Sequence, residues 1–135
     1  MPPMPNAPTL TPPPSTGAEP LCVLVVDDEP TVRTVARLML ERSGYAVEEA
    51  GDAAAGESRL RAAVRPFAVV LLDVTLPDRA GTELLSDLRT LAPTSRVVLT
   101  SGKDEEDYPE HGADGYLPKP FTKDQLLTAV RAVLV

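Results

Sequence analysis

The chain alternates short apolar runs with segments of helical periodicity, and this alternation constrains its fold more than any other feature. Residues 21–26 (LCVLVV) and 67–72 (FAVVLL) are apolar throughout, over the length of a single strand. Strands that are apolar on both faces are typical of the interior of a parallel sheet, where helices cover both sides. We predict five strands, at residues 21–26, 45–50, 67–73, 96–100 and within 114–119.

Helical patterns separate and follow these strands, in residues 27–44, 52–65, 81–93 and 122–135. Suitable residues mark the helix ends: Pro30 in a first turn, Gly44 at a C-terminal stop, Asp52 as a cap, and Thr122 with Gln125 at capping-box spacing. The polar segment between Thr100 and Asp114 contains Pro109 and has room for at most a short or irregular further helix. Strands that alternate with helices predict βαβ units and a small doubly wound α/β domain with a parallel sheet.

Side chains at helical spacing support the helix predictions. In the first helix the residues at this spacing are Val32, Val35, Leu38, Met39 and Arg42. In the last helix the apolar residues are Leu126, Val130, Val133 and Leu134, which we expect mostly to face the core.

The first twenty residues differ in composition from the rest of the chain. Residues 1–20 hold eight of the fifteen prolines and almost no charge, so they cannot build a core. We expect an extended or disordered tail that serves as a linker or remnant; a ligand for a proline-binding partner is the alternative. The folded domain is then predicted at residues 21–135.

Composition excludes several classes of function. The net charge of −7 argues against direct binding to nucleic acid or to an anionic membrane, since both need clustered Lys and Arg. No apolar run approaches the roughly 18 residues of a membrane span, and no signal peptide is visible. Cys22 is the only cysteine, so an internal disulfide is excluded and a cytoplasmic location is expected.

Polar chemistry follows four of the five predicted strands. In an open parallel sheet, ligands bind beyond the carboxyl ends of the strands. The second strand ends in Ala50 and Gly51, which offer no comparable chemistry. The other four end in Asp27, Asp28 and Glu29 (first), Asp73 (third), Thr100 and Ser101 (fourth) and Lys119 (fifth).

Three carboxylates at one sheet edge repel one another unless a cation or protons join them. Oxygen ligands of this kind suit Mg²⁺, and no His or Cys nearby favours zinc. A metal flanked by Lys119 and the Thr100 hydroxyl offers what a phosphoryl group needs, and a carboxylate can itself attack phosphorus to form an acyl phosphate. Each residue alone also has a plain structural explanation: Asp28 as a helix cap, for example, or Asp73 as a strand end before a turn.

Four motifs carry a resemblance to a known family. They are VLVVDDEP (23–30), VVLLDVTLPDRAG (69–81), VVLTSG (97–102) and GADGYLPKPF (112–121). In this order and spacing they resemble the receiver domain of two-component response regulators, over residues 21–135. The resemblance implies a flavodoxin-like (βα)5 three-layer sandwich with strand order 2-1-3-4-5.

The resemblance also implies a site. Asp73 would accept a phosphoryl group from a histidine on a histidine kinase or a histidine phosphotransfer protein. Mg²⁺, or Mn²⁺, would be held by Asp27, Asp28, Asp73 and the backbone carbonyl of Thr75. Such a domain is expected not to be a turnover enzyme, although it would catalyse its own phosphorylation and slow autodephosphorylation.

The same resemblance implies a switch. Lys119, after which a cis bond to Pro120 is expected, would pair with the phosphoryl group. Thr100 would move inward to bind a phosphoryl oxygen, and Tyr116 would follow into the vacated space. The switch would change contacts with a downstream protein that is unknown. The domain itself would be a monomer or a weak dimer.

Three departures from the family pattern are visible. Thr75 and Gly102, two positions after the acceptor and the switch threonine, cannot orient an attacking water, so we expect slow loss of the phosphoryl group. The segment between Thr100 and Lys119 is about one helical turn short, and its His111 is expected to be a surface residue rather than a phosphodonor. We expect no output domain after the last helix, as in a stand-alone receiver or the last domain of a hybrid kinase.

Three other functions were weighed. A haloacid-dehalogenase-type phosphohydrolase needs an acid where Thr75 stands, and a nucleotide-binding domain needs a glycine-rich motif that is absent here. A receiver-like interaction module that takes no phosphate is the more serious alternative, although all the expected site residues are present.

Overall fold

The computed structural model describes residues 20–107 and 111–135. The described residues form five strands: β1 Cys22–Val26, β2 Ala46–Ala50, β3 Val69–Asp73, β4 Arg96–Ser101 and β5 Gly115–Pro118. All neighbouring strands pair in parallel, in the order β2-β1-β3-β4-β5. The order predicted from the family resemblance is therefore confirmed.

Helices cover both faces of the sheet. They are α1 Pro30–Arg42, α2 Ala53–Ala62, α3 Gly81–Leu91 and α4 Lys123–Leu134, with a 3₁₀ turn at Glu105–Asp107. Side chains of α2 and α3 share one core cluster, and those of α1 and α4 share the other. Successive residues of a strand point to opposite faces, so Leu24 joins the first cluster and Val25 the second. The result is the expected three-layer sandwich.

The predicted helix ends agree with local geometry. The Asp52 carboxylate accepts a hydrogen bond from the Ala55 amide at 2.7 Å. Thr122 and Gln125 form both halves of a capping box. Gly44 follows α1 with a φ of 97°, a conformation that glycine adopts without strain.

Helix α2 is shorter than predicted. It ends at Ala62 rather than at residue 65, and Pro66 disfavours a helical conformation at Arg65. In α1 the fully buried residues are Ala36 and Leu40, whereas Val35 and Leu38 are 40% and 39% exposed. Ala36 and Leu40 are therefore the residues of α1 that pack fully into the core.

The expected short fourth helix corresponds to the 3₁₀ turn Glu105–Asp107. Pro109 lies outside the described residues, as does the predicted tail except for Pro20. In the part of the chain that the structure describes, no helix has both the length and the apolarity to cross a bilayer.

Candidate functional site

The three acidic residues meet at the carboxyl edge of the sheet. Strand β3 lies between β1 and β4, so Asp73 at the end of β3 lies beside the end of β1. Asp73 also pairs in register with Thr100 of β4. Asp27, Asp28 and Asp73 each offer a carboxylate oxygen within 4.8 Å of the others. Asp27 and Asp73 are buried, at 2% and 4% exposure, while Asp28 is exposed. Charge is therefore concentrated at the predicted edge.

Lys119 supplies the opposing charge. Its Nζ lies 2.7 Å from Asp27 Oδ2, 3.3 Å from Asp73 Oδ2 and 3.5 Å from Glu29 Oε1. The lysine side chain is only 15% exposed. The bond to Pro120 is cis, as the resemblance implied. The ammonium group thus bridges the ends of β1 and β3.

Burial and charge act in opposite directions on the two central groups. Burial raises the pKa of the Asp73 carboxyl, and the Asp27 charge raises it further, against the Thr75 amide and Lys119, which lower it. Burial alone would lower the pKa of Lys119, but its hydrogen bond to Asp27 and the charges of Asp73 and Asp27 outweigh this and raise the pKa. The ammonium form of Lys119 is therefore favoured, and it holds the carboxylates together.

The donor set suits a hard divalent cation. Its three clustered groups are all carboxylates, and one of them, Asp28, faces solvent. Such oxygen ligands match Mg²⁺, which keeps several waters in protein sites. The Thr75 amide donates a hydrogen bond to Asp73 Oδ1 at 2.9 Å, so this residue lies against the acceptor. Its carbonyl as a ligand stays a prediction.

The predicted switch residues lie on β4 and β5. Thr100 is buried, and its backbone carbonyl accepts a hydrogen bond from the Val74 amide at 2.9 Å, which ties the end of β4 to the acceptor loop. Tyr116 pairs in register with Leu99, and its hydroxyl donates to the Lys103 carbonyl at 2.8 Å. Their movement stays a prediction.

His111 is partly exposed, so the expected surface position holds only in part, and the expectation that it is not a phosphodonor stays a prediction. Its side chain is only 11% exposed, with its ring centroid 5.7 Å from that of Tyr116. Nε2 lies 2.8 Å from Glu105 Oε2, and Nδ1 accepts a hydrogen bond from the Ala113 amide. The composition of its neighbours gave no sign of this, because the contact depends on how the segment after β4 returns to β5.

Sequence reasoning also missed residues that support the site. The Arg33 Nη1 donates to the Asp27 carbonyl at 2.6 Å, although Arg33 stands six positions further along the chain. Asp78 accepts hydrogen bonds from the Ala53 and Ala54 amides at 2.9 Å, so the loop after the acceptor caps α2. No local signal suggests this cap, because Asp78 precedes α3 in the chain and binds the amides of α2.

Comparison with known proteins identifies the family. The family model of the response regulator receiver domain matches residues 23–131. The chain belongs to this family. This receiver domain is 39% identical over 121 residues to the probable transcriptional regulatory protein TcrX of Mycobacterium tuberculosis, covering 86% of this chain and 50% of TcrX. It thus spans about half the length of the curated relatives that it matches.

Solved structures agree with this assignment. The chemotaxis response regulator CheY4 of Vibrio cholerae is 29% identical, with a TM-score of 0.79 over 85% of this receiver domain and 99% of CheY4. A response regulator protein from Burkholderia pseudomallei, determined with a phosphorylated aspartic acid and a calcium ion, is 28% identical, with a TM-score of 0.73 over 82% of this receiver domain and 66% of that chain. The predicted family and the predicted class of function, a receiver domain of two-component signal transduction, are confirmed. Receiver domains are in general not turnover enzymes, so the family assignment does not favour the phosphohydrolase interpretation.

Proposed function

We propose that Asp73 accepts a phosphoryl group from a phosphohistidine on a histidine kinase or a histidine phosphotransfer protein. The carrying observation is the cluster of three carboxylates within 4.8 Å, with the Lys119 ammonium 3.3 Å from Asp73. Asp27, Asp28, Asp73 and the Thr75 carbonyl would hold Mg²⁺ or Mn²⁺. When bound, the metal supplies positive charge against the phosphoryl oxygens.

The transfer follows from the placement of Asp73 on the central strand. A carboxylate oxygen of Asp73 attacks phosphorus, the bond from phosphorus to the donor imidazole nitrogen breaks, and its electron pair returns to the imidazole. Lys119 then binds a phosphoryl oxygen, since its ammonium group already lies between Asp27 and Asp73. The Thr75 amide holds the other oxygen of the Asp73 carboxyl in place.

The signal would leave the site through β4 and β5. Thr100 is the register partner of Asp73, so its hydroxyl is available to a phosphoryl group on the neighbouring strand. Thr100 moving toward that group would free space for Tyr116, whose hydroxyl bond to Lys103 O ties it to the loop after β4. This two-state element is what the phosphoryl group would bias.

The donor would approach beside Lys119. An apolar groove of about 370 Å³ adjoins the site and is lined by Glu29, Thr31, Val32, Val35, Lys119, Pro120 and Phe121. Val35 is 40% exposed there and offers an apolar contact beside the site. A cytoplasmic location, a monomeric or weakly dimeric state and slow loss of the phosphoryl group stay parts of this proposal.

Phosphorylation with a small donor tests the proposal. The chain is incubated with acetyl phosphate and Mg²⁺, and intact mass is measured; beryllofluoride binding is followed by NMR. We expect one phosphoryl group on the wild type, none on Asp73→Asn, and an unchanged level on Asp124→Asn, which alters an exposed acid on α4. An unmodified wild type would favour the phosphate-independent interaction module. Modification that survives Asp73→Asn would assign another acceptor, and a phosphoryl lifetime of seconds would refute slow hydrolysis.

A further inference from the structure

An arginine on α1 reaches back to the end of β1. The Arg33 Nη1 donates to the Asp27 carbonyl at 2.6 Å, and its Nε donates to Glu49 Oε1 at 3.2 Å. Both side chains are largely shielded from solvent, at 20% and 28% exposure. The arginine therefore joins the acidic turn to strand β2, which carries no polar group at its own end.

Glu49 binds two arginines, one through each oxygen of its carboxylate. Oε1 accepts from Arg33, and Oε2 accepts from Arg37 Nε at 2.6 Å. Arg37 in turn pairs with Glu41 at 3.2 Å, one helical turn along α1. Since both oxygens of Glu49 are engaged, and Glu49 pairs in register with Val25, the guanidinium of Arg33 has a defined position relative to β1.

Gly51 leaves room for the arginine. A Cβ added at this position would lie 3.2 Å from Arg33 Nη1 and 3.7 Å from its Cζ. Gly51, which follows β2, thus leaves space for the guanidinium because it has no side chain. The backbone of the same turn is tied to β2 a second time, since the Asp27 amide donates to the Ala50 carbonyl at 3.0 Å.

We infer that Arg33, held by Glu49, is a positioning residue that orients Asp27 and Asp28 for the cation; this inference rests on the proposed function. The peptide group that Arg33 binds joins these two acids, so Arg33 constrains the backbone from which both carboxylates project. The Asp27 carboxylate is itself held by the Glu29 amide and Lys119. Ligands that are oriented before the ion arrives need less ordering on binding.

Because Arg33 is positively charged, Mg²⁺ affinity distinguishes a positioning role from a purely electrostatic one. A guanidinium near the acidic cluster repels a cation, so a purely electrostatic role predicts that Arg33→Ala binds Mg²⁺ more tightly. A positioning role predicts the opposite. We expect about tenfold weaker Mg²⁺ binding for Arg33→Ala, the loss of about one charged hydrogen bond. Glu49→Gln should weaken binding severalfold, and Arg33→Lys should restore part of the affinity.

The experiment measures Mg²⁺ affinity by calorimetry without any phosphoryl donor, and backbone amide hydrogen exchange by NMR without any metal. Arg33→Ala should speed exchange of the Asp27 and Glu29 amides while exchange in β4 stays unchanged. The matched control is Arg59→Ala. It breaks the exposed ion pair between Arg59 of α2 and Glu48, which lies on β2 like Glu49, and it should change neither measurement. Tighter or unchanged Mg²⁺ binding, or unchanged exchange at Asp27 and Glu29, would overturn the positioning role. A wild type that binds no Mg²⁺ would contradict the proposed function, and the exchange measurement would still decide the role of Arg33.

Discussion

Replacing Gly81 with alanine tests how tightly the acceptor strand is packed. Gly81 begins α3, and its amide donates to the Val74 carbonyl at 2.7 Å. An added Cβ would lie 2.1 Å from the Asp73 carbonyl oxygen and 2.9 Å from its carbonyl carbon. Side chains elsewhere could rotate away, but these are backbone atoms of β3. The helix or the strand must therefore move.

The required movement sets the magnitude. A Cβ is essentially never closer than 3.0 Å to another heavy atom, so the contact of 2.1 Å must open by about 0.9 Å. Overpacking of a well-packed interior costs about 1–3 kcal/mol, and the upper end applies here because neither backbone is free to rotate. With a urea dependence of about 1–3 kcal/mol per molar, the unfolding midpoint should fall by roughly 1–3 M.

Urea unfolding followed by circular dichroism measures this change. The matched control is Gly102→Ala, because no atom lies within 4 Å of a Cβ added at Gly102. The control should stay within about 0.5 kcal/mol of the wild type. In Gly81→Ala that remains folded at low urea, phosphorylation of the displaced Asp73 should also be slower. A midpoint equal to that of the wild type, or an equal loss in the control, would refute the packing argument.

Three further predictions concern charge. Because burial raises the pKa of Asp73, the stabilising contribution of this carboxyl is present at a pH below its ordinary pKa and is lost as the pH rises through the raised pKa. Asp73→Asn should therefore be more stable than the wild type at pH 7, and the difference in stability should narrow near about pH 4. Urea titrations at both pH values measure this difference. The hydrogen bonds of Asp78 to the α2 amides lower its pKa, so its stabilising contribution is present above the ordinary value and is lost as the pH falls through the lowered value. Asp78→Asn should therefore be less stable than the wild type at pH 7, and a difference that does not shrink as the pH is lowered in urea titrations would contradict this. Lys119→Met removes the ammonium group that lies 2.7 Å from Asp27, so Mg²⁺ should bind at least severalfold tighter at pH 8. Calorimetry measures the Mg²⁺ affinity, and phosphoryl transfer from acetyl phosphate should slow. Weaker Mg²⁺ binding would show that Lys119 does not compete with the ion.

Local features of the fold were predictable because their causes are local. The apolar run before Asp73 predicts a strand that is buried on both faces, and every residue of β3 is buried. The Asp52 cap and the capping box of Thr122 and Gln125 depend on residues three positions apart, and both form. The acidic, hydroxyl and lysine residues of the site were found in the same way, as the ends of strands.

Long-range features were not predictable from periodicity. In α1 the small Ala36 is fully buried whereas the larger Val35 is 40% exposed, and helical spacing alone does not indicate this difference. The bond from Asp78 to Ala53 joins residues 25 positions apart, and that from Arg33 to Glu49 joins residues 16 apart. Nothing in the spacing of these residues indicates that they meet.

The sequence by itself determined which residues stand at the ends of the strands, because strand length, burial on both faces and helix caps are decided within a few neighbouring residues. Only the tertiary structure decided the distances among Asp27, Asp73 and Lys119, since these depend on strand order and register, to which helices packed on both faces contribute. It also decided that β2 reaches the site through Glu49 and Arg33, because Arg33 of α1 contacts both Glu49 of β2 and the Asp27 carbonyl after β1.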